Sequence, residues 1–470
     1  MSVEDHQTFV ALAALLLWPI VGLWIFLSSR SVPRNLIWAI LTAQLLLPVG
    51  AVIKFRMIPP IDKVNVASFV AVIGCLLFAR GKPLPRSKGF GLVGLLLISN
   101  IASPIITSWL NPDNVVIGVR FLPGVGIYDA LSASEAALIG LIPFILGRRY
   151  LRSIEDCKNI LLALTIAGLC YSIPLLFEIR FSPQLHLWVY GYAPSEFVQS
   201  VREGGYRPMV FMGHGLLAAL FMSSSVLAAT TLWRNRVNVG VMPSSILAPY
   251  LGLVLFLCKS MGALIYGVVG GSLIIFTKPK TQVRIAVVLV AISLAFPLLR
   301  SLNLVPTTQV VELAKQISEA RGESLEFRFE NENKLLQRAF ERPWFGWGRF
   351  GRSRIYDANS GRDTSVTDGR WIIDIGQFGL IGFFSEFGLL AISVFRAAAS
   401  FQYLSSRKEQ LMFTTLILIV AISVFDLLPN SGLIPWTWLI SGALLGQSEA
   451  LALRNSSMSN CFPANKTARR

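Results

Sequence analysis

Apolar positions along the chain gather into runs of about 17–25 residues, parted by short polar stretches. Coiled as an α-helix, a run of that length covers a hydrocarbon layer about 30 Å thick. Thirteen such runs are read, near 8–27, 36–53, 64–79, 89–110, 131–147, 158–177, 209–232, 244–258, 260–277, 284–299, 372–395, 410–428 and 433–448. Only Lys259, Ser260 and Met261 part the two halves of 244–277, so one interrupted span and two separate ones both stay open there. The pattern predicts an all-α, polytopic helical membrane protein with about 12–13 transmembrane helices.

Two polar segments are too long to be simple turns, at about 178–208 and 300–371. They divide the chain into N-terminal helices (1–177), a smaller loop (178–208), central helices (209–300), a large loop (301–371), C-terminal helices (372–450) and a tail (451–470). Within the large loop, 308–320 and 324–342 have helical spacing. Val311, Leu313 and Ile317 mark an apolar side of the first, and Leu335, Leu336, Ala339 and Phe340 one of the second. Pro343 should stop the second helix, and Gly346 and Gly348 permit a tight turn after it.

Composition agrees: 54% of residues are hydrophobic and only 14% charged, where a soluble domain carries about a quarter. The formal charge of +16 is explained by orientation before nucleic acid. If the N-terminus lies outside, Arg30/Arg34, Arg80/Lys82/Arg86/Lys88, Arg148/Arg149/Arg152/Lys158, Arg234/Arg236, Lys278/Lys280/Arg284 and Arg396/Arg407/Lys408 all face inward, as does the tail from Arg454. That is the positive-inside pattern, with only Lys54, Arg56 and Lys63 against it among short loops. It predicts an N-out, C-in topology with both long loops outside. Glu4 and Asp5 before the first run do not resemble a secretory signal. The five cysteines form no CxxC pair, which argues against a disulfide framework or a zinc site.

The stretch LLQRAFERPWFGWGRFGR at 335–352 is the least oil-like part of the chain. Arg338 and Arg342, four apart, share a helix face. Guanidinium groups chelate phosphate oxygens bidentately and indoles stack on sugars, so arginines with Trp344 and Trp347 suit a phosphate beside a saccharide. An interfacial helix with belt tryptophans and snorkelling arginines accounts for the same residues.

The order of motifs resembles the O-antigen ligase and polysaccharide polymerase family. Arg328, fifteen positions before Pro343, is followed by PWFGWGRF (343–350), similar to that family's Arg, amphipathic helix and Pro-x-x-Gly-x-Gly loop. DGRWIIDIGQFGLIG (368–382) resembles the family's His-Asn-x-x-Leu-x-x-Leu-x-Glu-x-Gly-x-x-Gly segment, with Asp368, Gly369 and Gln377 where His, Asn and Glu are usual. YRPMVFMGHG (206–215) looks like the family's Arg-containing entry to a span. LCKSMGALI (257–265) is similar to its Leu-x-x-Ser-Arg-Gly-Ala stretch, with Met261 for Arg.

The resemblance implies a glycosyltransferase in the bacterial cytoplasmic (inner) membrane. Its donor would be an undecaprenyl diphosphate-linked oligosaccharide, and its acceptor a growing glycan (polymerase) or lipid A-core (ligase). Membrane lipids, not nucleic acid, would be its other partners. The outer loops hold no DxD-like carboxylate cluster and so give no sign of a divalent metal or other cofactor. With no histidine in the large loop, polymerase is favoured over ligase, and a flippase or transporter is the remaining rival.

By resemblance, Arg207 and Arg328 would neutralise the leaving diphosphate and Asp368 would serve as base or acceptor-orienting group. Arg338, Arg342, Arg370, His214, Trp347 and Arg202 complete the expected substrate contacts. Ordinary alternatives stand beside each. Arg202 has Glu203 and Arg328 has Glu332 as local ion partners, His214 suits close packing between Gly213 and Gly215, and Asp368 suits a helix cap. His186 reads as an interface residue, and Arg349, Arg352 and Arg354 as a solvated charge run. Asp374 and Glu386 fall in the next span, with Glu386 too deep for outer-face chemistry. Gly376, Gly379, Gly382 and Gly388 give that helix one small side, for close contact or a prenyl groove.

Overall fold

The computed structural model describes residues 8–55, 58–79, 91–202 and 204–461. Every predicted run overlaps a helix, although 36–53 runs past the end of its helix at Leu46 and residues 89–90 lie outside the described residues. The first seven helices are α1 (Phe9–Leu27), α2 (Val32–Leu46), α3 (Lys63–Phe78), α4 (Leu92–Trp109), α5 (Ile127–Tyr150), α6 (Ile154–Phe181) and the short α7 (Leu185–Tyr190). There follow α8 (Gly215–Arg234), α9 (Ser244–Leu257), α10 (Met261–Phe276), α11 (Pro279–Ser301), α12 (Thr307–Ile317) and α13 (Glu319–Phe340). The last three are α14 (Arg370–Ser400), α15 (Arg407–Asp426) and α16 (Pro435–Cys461). Eight of the described helices are long and apolar enough to cross a membrane, and α3, α9 and α10 are shorter apolar helices. The chain is an all-α, multi-pass membrane protein.

Burial separates the centre of the bundle from its rim. Of the apolar windows, 89% of that in α8 and 83% of that in α15 is buried, against 28% in α1 and in α4. The rim helices present Leu16, Leu17, Ile20 and Trp24 outward, as lipid-facing positions require.

The ambiguous 244–277 segment is two antiparallel helices. Lys259, at φ +50°, turns the chain between α9 and α10, and its carbonyl meets Arg207. At the other end Arg234, closing α8, donates to the Ile274 and Thr277 carbonyls at the end of α10. Following the helices in order puts the 182–214, 302–369 and 427–434 segments at one end of the bundle. The 151–153, 235–243 and 401–406 turns lie at the opposite end.

The arginine-rich loop finds its structural reason in α14, which is not one straight span. Gly379 has φ +67°, and the helix breaks there. A break frees backbone groups, which are costly in a membrane unless paired. The loop after α13 pairs them. Leu380 N donates to Pro343 O (2.7 Å) and Ile381 N to Trp344 O (3.2 Å), while Trp347 N and Gly348 N donate to Gly376 O and Gln377 O (both 2.9 Å). Gly346 (φ +66°) lies so close that a Cβ would stand 2.5 Å from the Gln377 carbonyl carbon. Gly379 is therefore the break itself, not a member of a small-residue stripe.

The break also corrects the depth expected for Glu386. Beyond Gly379 the helix brings Glu386 back to Arg370, whose Nε and Nη2 donate to its two oxygens at 2.7 and 2.8 Å. Arg370 pairs with Asp374 as well, at 2.9 Å.

Candidate functional site

At the loop-bearing end, a cavity of about 480 Å³ is lined by Arg207, His214, Arg328 and Asp368, with Asp426, Asn430 and Ser431 also in its wall. Four expected site residues, spread over more than 160 positions, thus share one space.

The smaller loop supplies two of them on a fixed backbone. Buried Glu178 accepts from Leu185 N (3.1 Å), Met209 N (2.8 Å) and Val210 N (2.8 Å). Lys63 donates to Leu47 O and Phe211 O at 2.9 and 2.8 Å, so this cation on the unexpected side of the charge pattern is a strut. Arg207 then lies across Gly215, where any Cβ would meet its Cδ at 2.4 Å, and its guanidinium donates to Lys259 O at 3.1 and 3.3 Å. His214 is the N-cap of α8, and its Nδ1 accepts from Leu216 N at 3.2 Å. In the neutral ring the proton therefore sits on Nε2.

The large loop supplies the other two. Arg328 Nε lies 3.2 Å from Asp368 Oδ2, with each side chain about one-third exposed (34% and 31%). Asp368 does not cap α14. Gly369 holds that position, against Leu428 O, and Arg370 N donates to Leu427 O and Asn430 O at 2.9 and 3.1 Å. Nor does Arg328 take Glu332 as its ion partner.

Glu332 is the residue that sequence reading undervalued. One turn beyond Arg328, it is buried beside Arg300, whose Nη2 lies 3.6 Å from its Oε2. Burial pushes its carboxyl up to about 7. Arg300 and Arg328 pull it down, and the neighbouring charge of Asp368 pushes it up. The i,i+4 spacing was visible, but burial against the end of α11 was not.

Other expected contacts lie elsewhere. Arg338 and Arg342 hold their guanidinium carbons 3.4 and 4.1 Å from the centre of the Trp347 ring. Trp347 is buried and donates Nε1–H to Arg338 O at 2.7 Å, so no sugar can stack on it. Arg338 pairs with Glu341 at 2.6 Å, and Arg342 with Asp113 at 2.9 Å. The Arg342 hydrogen bond is the leading reason that the Asp113 carboxyl sits below its usual range. Arg342 ties the loop to Leu110, Asn111 and Asp113, while Arg338 and Trp347 brace the loop internally. Arg352, expected in a solvated run, is 1% exposed and donates to Trp347 O, Asp113 O and Pro123 O at 3.1, 2.9 and 2.8 Å. Arg354 stays on the surface with Asp363, and Leu313 is exposed.

Arg370 lines a second, separate cavity of about 270 Å³, with Arg349, Asp374, Gln377 and Glu386. His186 is buried: its Nδ1 meets Tyr192 O at 2.8 Å and its Nε2 accepts from Val49 N at 3.2 Å. The Arg202 side chain and Glu203 lie outside the described residues.

Fold and cavity together define a class: a multi-pass all-α membrane protein with a cationic, carboxylate-bearing cavity at one end of its bundle. No family model and no curated protein matches the chain.

Proposed function

We propose that the protein is a glycosyltransferase of the bacterial cytoplasmic membrane, polymerising oligosaccharide repeat units carried on undecaprenyl diphosphate. Its N-terminus lies outside and its C-terminus inside, so the cavity faces the outer leaflet. The observation that carries this reading is the convergence of Arg207, His214, Arg328 and Asp368 on one cavity. Two guanidiniums match a diphosphate's charge and fork geometry. The acceptor hydroxyl oxygen attacks the anomeric carbon of the donor sugar, and the bond from that carbon to the diphosphate oxygen breaks. Arg207 and Arg328 neutralise the charge that develops on the leaving group. As Arg328 turns to the diphosphate it releases Asp368, which accepts the acceptor hydroxyl's proton. Glu332, one turn beyond Arg328 and beside Arg300, has its carboxyl pushed up to about 7 by burial.

The test is the envelope glycan profile of cells making Arg207→Ala or Arg328→Ala. Each should lower polymer formation on the order of 10²-fold or more while the protein reaches the membrane. Single repeat units left on a lipid acceptor identify a polymerase. Finished polymer stranded on the carrier assigns transfer to lipid A-core instead, and carrier-linked units trapped on the inner face assign transport. Unchanged polymer length in both variants removes the phosphate role.

A further inference from the structure

At the opposite end of the bundle a second charged feature has no part in that chemistry. Arg148, Arg152 and Arg396, from α5, the turn after it and α14, converge on the single carboxylate of Glu449 in α16. Arg148 satisfies that carboxylate bidentately, at 2.7 and 3.3 Å. Arg152 and Arg396 stand farther off, at 3.9 and 3.6 Å, although the Arg152 side chain is only 17% exposed. One carboxylate cannot balance three guanidiniums, and sheltered positive charge is expensive without a counter-charge.

The space beside them suits an amphiphile. A cavity of about 380 Å³ is lined by Arg152, Arg396 and Glu449 together with Ala399, Tyr403 and Leu453. Arg152 and Tyr403 also line an adjoining cavity of about 460 Å³, which reaches Ser406, Glu409 and Arg454. Two helices begin there, α6 after Ser153 and α15 after Ser406, and helix starts attract anions. Ser406 makes no side-chain cap bond, whereas Ser153 is occupied by its own capping box. Glu409 opposes the field from the first turn of α15, so the anion belongs on the Arg152–Arg396 side.

We infer that this groove binds an anionic glycerophospholipid from the adjacent leaflet, its phosphodiester between Arg152 and Arg396 and its glycerol and acyl carbons along Ala399, Tyr403 and Leu453. Basic pockets between transmembrane helices recognise lipid phosphates in this way.

The full-length protein, purified in mild detergent, is titrated with phosphatidylglycerol, cardiolipin or phosphatidylcholine and bound lipid is counted by native mass spectrometry. The anionic lipids should be retained at least tenfold better than phosphatidylcholine. Arg152→Ala/Arg396→Ala should remove that preference, and Lys280→Ala, at the same end outside the groove, should keep it. Arg396→Ala alone, at a 41% exposed side chain, keeps the test readable if the double variant misfolds. Equal retention of the three lipids by the wild type, or an unchanged preference in folded variants, overturns the assignment. Displacement by millimolar inorganic phosphate as effective as by lipid overturns it in favour of a soluble anion.

Discussion

Gly346→Ala tests the docking of the loop into the broken helix. At φ +66° the alanine incurs about 1–2 kcal/mol of left-handed strain. Its Cβ also stands 2.5–2.7 Å from the backbone of Gln377 and Gly379, so the loop must lift. Lifting it breaks four backbone hydrogen bonds, from Leu380 N, Ile381 N, Trp347 N and Gly348 N. At about 1 kcal/mol each these bring the cost to roughly 5 kcal/mol, more where the freed groups meet no water. Hydrogen exchange in lipid nanodiscs reads this locally: Leu380 and Ile381 amides should exchange roughly three to four orders of magnitude faster, at about 1.4 kcal/mol per tenfold. Gly252→Ala is the control, since nothing lies within 4 Å of the added methyl. If Leu380 and Ile381 keep wild-type protection in Gly346→Ala, the loop does not hold the break and the account of α14 fails.

Three further outcomes follow from the same geometry. Arg352→Ala removes donors to three carbonyls from a fully buried position and should destabilise by roughly 3 kcal/mol, read as a lower detergent-denaturation midpoint that Arg352→Lys does not restore. Glu332 has a native carboxyl pKa raised to about 7 from an ordinary 4.5. The native state therefore binds the proton more tightly, and this stability is complete below about pH 4.5 and lost as pH rises through about 7. Glu332→Gln should flatten the melting-temperature profile across that window, and an unchanged slope would refute the assignment. Trp347→Phe loses the bond to Arg338 O and should loosen the 338–348 turn by about 1 kcal/mol, measured as faster amide exchange there.

The helices were legible because length and apolarity suffice to mark spans, and Pro343 marked the end of α13 as well. The residues of the cavity were legible one by one through the resemblance, which singles out Arg207, Arg328 and Asp368 by their places in its motifs; composition alone does not mark Arg328, set in the polar stretch 319–334. Their meeting was not, because it depends on how α8, α13 and the α15–α16 turn lean together. The arginines after Leu335 misled for a definite reason. Composition cannot separate a guanidinium aimed at solvent from one folded onto carbonyls, and two of the three acceptors of Arg352 come from the distant 113–123 segment. Glu386 misled because counting residues along α14 assumes an unbroken rise, and Gly379 cancels it.

The order of translation gives the break in α14 a consequence for biogenesis. Residues 343–348 leave the ribosome before 376–381, so the plug is made ahead of the gap it fills. A nascent α14 can thus trade water for the waiting carbonyls as it partitions, without exposing bare peptide groups to lipid. Chimaeras that exchange this loop between proteins must carry the first half of the helix with it, since neither piece is chemically complete alone.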